Sequence, residues 1–243
     1  MPEVLALVPL AYLLGTFPSA RLVARRHGID VHNEGSGNPG ASNIFRLMGW
    51  KWGVLVLVLD IGKGSLAAGV GAVVDTAFHG HRGAYILGLA AVLGHVFPIT
   101  RHLKGGRGVA TAAGVLVVPF PLVMVITGVV WVLIARGLHK ASVASVACAV
   151  MFTVIVVVRG PSFHHGGWLD MVVVSVIAGI IIIRHLKSLL RVVRGQEVGL
   201  RSNLGERGEL TRRSDLAPKP TDRDAQPDAT ARPVDHDGSP PPH

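Results

Sequence analysis

Charge is scarce through most of this 243-residue chain. Six blocks, residues 4–23, 54–74, 84–100, 109–135, 141–158 and 171–183, carry almost none. Polar residues before Arg184 are too few to clothe that many helices in water, which excludes a large soluble helical protein. Cysteine is nearly absent. The one example, Cys148, lies inside an apolar block, so neither a disulfide framework nor a cysteine-based zinc site is possible within one chain. Aromatic residues make up only 5%. A basic leader is also missing: the first block starts behind Glu3 and reads as a permanent span rather than a secretory signal. No zinc-finger, helix-turn-helix or RNA-binding pattern accompanies the net charge of +9.

What is present is length of apolar chain. A bilayer core about 30 Å thick needs ~20 mostly apolar residues per helix, and several blocks reach that. The basic residues sit between them, as the positive-inside rule expects: Arg21, Arg25 and Arg26, then Lys51, then Arg101, Lys104 and Arg107, then Arg136 and Lys140, then Arg184 to Arg194. Six spans would leave two of these loops on the wrong side. Pro119-Phe120-Pro121 resolves the parity by breaking block 109–135 into a hairpin of 109–118 and 122–134. The expectation is an all-α polytopic membrane protein with seven transmembrane helices, N-terminus outside and C-terminus cytoplasmic. Its membrane domain covers residues 1–198. From 199 to 243 Ser, Pro, Asp and Arg replace the aliphatics, which reads as a disordered cytoplasmic tail.

Three polar segments then fall on the cytoplasmic face. In Glu34-Gly-Ser-Gly-Asn-Pro-Gly-Ala-Ser-Asn-Ile-Phe-Arg46, glycines admit a ligand close to the backbone, and Asn38-Pro39 reads as a helix cap with proline in the first turn. A helix from there clusters Ser42, Asn43 and Arg46, a plausible phosphate site beside Ser36. In Lys104-Gly-Gly-Arg-Gly-Val-Ala-Thr111, two cations flank three glycines ahead of an apolar helix. This suits a phosphate-cradling loop, and equally an anchor on anionic lipid; it lacks the Walker A spacing. The third segment holds Arg184, His185 and Ser188 at the inner end of a span. Asp60 and Lys63 sit within an apolar block at i, i+3, where mutual pairing and a structural or site-shaping role are expected.

Together, Gly35-Ser-Gly-Asn-Pro-Gly-Ala-Ser-Asn with Arg46, Asp60-x-x-Lys-Gly64, Gly94-His-x-Phe-Pro98 and Lys104 to Thr111 closely resemble the bacterial acyl-phosphate:glycerol-3-phosphate acyltransferases, over roughly residues 5–197. The resemblance implies a multi-pass enzyme of the bacterial cell membrane with a cytoplasmic active face. It moves a fatty acyl group from acyl phosphate to the 1-hydroxyl of sn-glycerol 3-phosphate, the first step of phospholipid synthesis. Its partners are the two substrates and membrane lipid, with no nucleic acid, no cofactor and no metal. Carried over by position, Ser36, Arg46, Lys104 and His185 are the expected catalytic residues. Asn38, Ser42, Asn43, Gly105, Gly106, Arg107, Gly108, Thr111 and Ser188 are the expected substrate-binding ones. Glu197 matches a structural glutamate.

This sequence departs from that pattern twice. Arg107 stands where the family usually has Lys, and Ser188 where His-x-x-Asn is usual. The proton acceptor is open between His185 and the substrate's own phosphate, with substrate assistance the favoured reading. His165 and Asp170 also satisfy a His-x4-Asp pattern known from acyl-CoA-type enzymes, read as coincidence on the external side. The alternatives are a transporter for a small phosphorylated solute and an alcohol phosphatidyltransferase. The first expects an inverted repeat, the second an aspartate cluster; neither is evident.

Overall fold

The computed structural model describes residues 1–75, 81–159 and 168–196. Glu197, His165 and the tail from residue 199 lie outside the described residues. The chain divides into a unit Met1–Leu204 and a segment Gly205–His243, the latter wholly outside them. Among the described residues the regular structure is helical throughout: α1 Pro2–Gly15, α2 Ser19–Arg25, α3 Ala41–Met48, α4 Trp50–Val74, α5 His81–Val96, α6 Val109–Leu116, α7 Pro121–Leu138, α8 Ala141–Arg159 and α9 Trp168–Val193, with a single 3-10 turn at Ile99–Arg101.

Among the described residues six helical stretches are long and apolar enough to cross a bilayer: Pro2–Arg25, Trp50–Val74, Arg82–Arg101, Pro121–Leu138, Ala141–Val158 and Trp168–Val193. The proline break falls where the sequence places it. α6 stops at Leu116, residues 117–119 turn, and Pro121 opens α7 in its first turn, where its missing N–H costs nothing. The two halves differ in length. α7 has 18 residues. α6 has only eight and spans ~12 Å at 1.5 Å per residue, less than half the apolar core. It is shielded rather than lipid-exposed, with Thr111, Ala112, Gly114, Val115 and Leu116 all buried.

Glycine sets how closely the helices approach. A Cβ on Gly15 would meet the Ala91 carbonyl, and one on Gly94 the Tyr12 carbonyl, so α1 and α5 touch backbone to backbone. Gly64 and Gly114 do the same for α4 and α6, against the Thr111 and Ile61 carbonyls, and Ser65 Oγ donates to the Gly114 carbonyl at 3.0 Å. Lipid chains are as apolar as leucine, so close backbone packing replaces the hydrophobic drive. α7 is the outlying helix, burying only Thr127 and Ala135 and showing Leu122, Val125, Val129 and Leu133 outward. At one end of the bundle α3 packs on α2 and α4 through Ile44, Val56, Ala20, Val23 and Val31. That end carries the polar segments.

Candidate active site

The loop before α3 is fastened by its own groups. At its outer turn the Asp30 carboxylate accepts the His32 N–H at 3.0 Å and the Asn33 amide at 2.8 Å, and the His32 backbone bond holds this carboxyl below the usual carboxylate range. Deeper in, Asn43 is fully buried. Its Oδ1 accepts the Ser36 N–H at 2.8 Å and Arg46 Nη1 at 3.3 Å, while its Nδ2 donates to the Val31 and Glu34 carbonyls at 3.2 and 3.1 Å. All four hydrogen-bonding positions of the amide are thereby filled from within the protein. Asn43 contributes by holding Ser36 and Arg46 in place. Gly35 and Gly37 have φ of +63° and +70°, which the tight loop requires of glycine.

The helix itself starts later than the sequence suggests. Its N-cap is Gly40 and its first residue Ala41, not Asn38 and Pro39. The Asn38 carbonyl accepts the Gly40 N–H at 2.9 Å, so residues 38–40 make a turn of their own before α3 begins.

A cleft opens against this loop, lined by Ser36, Ser42, Arg46, Arg107, Ala141, Ser142, Ser188 and Arg191. All three polar segments contribute to it, together with the first residues of α8. Three of the eight lining residues are arginines and none is a carboxylate. Ser188 joins two of them: its Oγ accepts Arg107 Nη2 at 2.7 Å and Arg191 Nη2 at 3.3 Å. The amino end of α8, with buried Ser142 in its first turn, adds the positive pole of a helix to the same wall. The arrangement suits an anion with several acceptor oxygens.

The remaining expected residues lie elsewhere. Asn38 is half-buried in the turn before α3, outside the lining. The Lys104 side chain is exposed beside the cleft loop. His185 is buried one turn before Ser188, and its Nδ1–H donates to the Ile181 carbonyl at 2.7 Å. A carbonyl only accepts, so a neutral His185 keeps Nε2 as a lone pair. Gly105 and Gly106 are buried against α5, where a Cβ would meet the His95 carbonyl and ring. Gly108, at φ +85°, caps α6, and Thr111 is buried with its hydroxyl unpartnered among the described residues.

Sequence reasoning missed Ser142 and Arg191 in the cleft. Arg191 stands three residues beyond Ser188 on one helix face, a spacing that was visible; nothing local marked Ser142. The Asp60–Lys63 pair forms as expected, at 2.9 Å. Its partners from other helices were not foreseen: Ser19 Oγ donates to Asp60 Oδ1 at 2.6 Å, and Lys63 Nζ donates to His95 Nδ1 at 2.7 Å and to the Phe17 carbonyl at 3.2 Å.

Comparison with known proteins gives one answer. The family model described as glycerol-3-phosphate acyltransferase matches residues 5–195. The glycerol-3-phosphate acyltransferase of Salinibacter ruber is 37% identical over 219 residues, 84% of this chain and 95% of its own. That of Bacillus cytotoxicus is 36% identical over 192 residues, 79% of this chain and 92% of its own. The crystal structure of PlsY, an integral membrane glycerol 3-phosphate acyltransferase, in its glycerol 3-phosphate form, matches with a TM-score of 0.74 at 34% identity, covering 81% of this chain and 95% of that one. Its lysophosphatidic acid form gives a TM-score of 0.72.

Proposed function

The chain belongs to the glycerol-3-phosphate acyltransferase family, and from that premise we propose that it transfers a fatty acyl group from acyl phosphate to the 1-hydroxyl of sn-glycerol 3-phosphate. The observation that carries this is the cleft. Ser36, Ser42 and Arg46 from the first segment meet Arg107 from the second and Ser188 and Arg191 from the third, around a space lined by three guanidiniums. The relatives' acyltransferase activity leaves the transporter reading unfavoured.

Acyl phosphate is a mixed anhydride, so the protein need supply neither a covalent nucleophile nor a metal. The 1-hydroxyl oxygen attacks the acyl carbonyl carbon, and the bond from that carbon to the phosphate oxygen breaks. Inorganic phosphate leaves with the electron pair, and lysophosphatidic acid remains. The protein's task is to bring two repelling anions together, and Arg46 and Arg107 on facing elements screen that repulsion. Ser36, held by Asn43 through its N–H, presents its hydroxyl to glycerol phosphate with Ser42 beside it. Lys104 reaches over the rim on a flexible four-carbon stem. The hydroxyl proton passes to a substrate phosphate oxygen, with His185 Nε2 orienting the glycerol as an acceptor. A His185→Gln variant that lost turnover while keeping its affinity for glycerol phosphate would instead make His185 the base.

The proposal includes a place and a topology. The enzyme lies in the bacterial plasma membrane with the cleft cytoplasmic, the N-terminus outside and a tail from residue 199 in the cytoplasm. α6 and the turn after it complete a seventh, half-length passage, tolerated because α4 and α5 cover it. The test uses purified protein in lipid, with radiolabelled glycerol 3-phosphate and either acyl phosphate or palmitoyl-CoA. Lysophosphatidic acid formed only with acyl phosphate is expected. Product from palmitoyl-CoA would overturn the donor, and none from either would overturn the reaction.

A further inference from the structure

Arg184 stands on α9 beside His185, outside the cleft lining, and is bound to the glycine loop. Its Nη2 donates to the Gly105 carbonyl at 3.0 Å and the Gly106 carbonyl at 3.3 Å, and its guanidinium carbon lies 5.6 Å from the centroid of the Phe97 ring. No peptide bond among the described residues is cis, so each peptide's C=O and N–H point in opposite directions. The peptide joining Gly105 to Gly106 uses both ends. Its carbonyl faces Arg184 on α9, and its N–H donates to the His95 carbonyl at the end of α5 at 3.1 Å. The loop is stretched between two helices at that peptide.

The next peptide turns its carbonyl to Arg184 as well, which sends the Arg107 N–H the other way. From that fixed backbone the Arg107 side chain reaches Ser188 at 2.7 Å and enters the cleft. The floor is equally fixed. The His95 ring occupies the place a side chain at 106 would need. Lys63 in turn spends its three donors on Asp60, the Phe17 carbonyl and His95 Nδ1, which anchors that ring.

We infer that Arg184 is a positioning residue for acyl transfer: by gripping the Gly105 and Gly106 carbonyls it sets the loop from which Arg107 meets the phosphoryl group of the acyl donor. This rests on the reaction proposed above. Arg184 touches neither substrate, and its effect passes through Arg107.

A double-mutant cycle reads that dependence directly. Arg184→Met should lower kcat/KM for acyl phosphate by roughly 10- to 100-fold, the scale of a 1 Å misplacement, with KM for glycerol 3-phosphate changed by less than about twofold. Adding Arg184→Met to Arg107→Met should cost less than about twofold more, because the residue it positions is already gone. Losses that multiply in the double variant, equal rises in KM for both substrates, or an Arg184→Met enzyme with wild-type kinetics would each overturn the role. Should Arg184→Met fail to fold, Arg184→Lys keeps the charge but loses the planar Nη2 group that donates to both carbonyls. It should then show a smaller acyl-phosphate-specific defect, abolished in the Arg107→Met background; persistence of that defect overturns the role equally. Wild-type protein with no turnover of acyl phosphate would sink the reaction itself, whereas wild-type turnover with multiplying losses sinks only the role of Arg184.

Discussion

The Asp60 cluster and the cleft are built on opposite principles. The Asp60 cluster is closed on itself: one carboxylate and one ammonium pair at 2.9 Å, Ser19 adds a second donor to Asp60 Oδ1, and His95 and the Phe17 carbonyl take the other two donors of Lys63. The cleft is cationic along its lining, where Arg46, Arg107 and Arg191 stand among serines with no carboxylate. A cluster whose charges are paired with one another serves to lock α2, α4 and α5 together. A lining of guanidiniums and hydroxyls is suited to an incoming anion. The difference shows that a buried charge inside a membrane domain does not by itself mark a site; the match of donors to acceptors around it does.

The largest effect separating the two should come from Asp60→Ala. It strands the Lys63 ammonium in a buried setting, and removing one member of such a pair costs about 3–5 kcal/mol. Thermal unfolding in detergent should show a fall in Tm on the order of 10 °C. Asp60→Asn with Lys63→Met should recover most of it. If Asp60→Ala kept its Tm and lost turnover, the closed cluster would belong to the site and the contrast would fail.

Next comes Arg46→Met. Loss of a charged donor to the phosphate should cost about 10²–10³ in kcat/KM, as for other preorganised anion contacts. Stability should change little, since Asn43 Oδ1 keeps the Ser36 N–H. A steady-state assay paired with a melting curve checks both halves. A large drop in Tm with modest kinetic loss would make Arg46 a packing residue.

The sequence shows much of this division and conceals a definite part. Apolar runs mark the spans, and Pro119 with Pro121 marks the break, because both act through local rules of length and backbone chemistry. Asp60 and Lys63 are legible as a pair because a helix places i and i+3 together. Ser19 and His95 are not, since they arrive from helices 41 and 32 residues away along the chain. The glycines at 105 and 106 read as a backbone opened toward phosphate. In the fold their missing side chains make room for His95, a distinction that depends on which face of the loop meets α5. Ser142 enters the cleft only because α8 packs beside α9.

A smaller effect sits where this chain leaves the pattern it resembles. Ser188 is the common acceptor for Arg107 and Arg191. Ser188→Ala removes that acceptor, and hydrogen bonds to charged groups are worth about 1.5–3 kcal/mol. A loss of roughly tenfold in kcat/KM is expected, near the low end because the guanidiniums can turn to bound phosphate. Ser188→Asn restores a carbonyl oxygen and should keep activity within about threefold of wild type. An inactive Ser188→Asn would mean that the cleft is packed around serine specifically.

The smallest effect is expected from His165→Gln, and it tests whether the His-x4-Asp pattern takes any part in the chemistry. His165 lies outside the described residues, but the other half of the His-x4-Asp pattern is well placed to judge it. Asp170 is fully buried near the start of α9, and its Oδ1 accepts Tyr85 OH at 2.5 Å. Ser188 lies eighteen residues further along the same helix. At 1.5 Å per residue that separation is ~27 Å, close to the thickness of the bilayer core. The length of α9 therefore holds Asp170 far from the cleft, and an acid-base pair near Asp170 has no path to a substrate bound by Arg107 and Ser188. Turnover by His165→Gln should match wild type within error, with acyl phosphate as donor. A tenfold fall with an unchanged melting curve would bring that pattern into the reaction and overturn the assignment of the cleft as the place where it occurs.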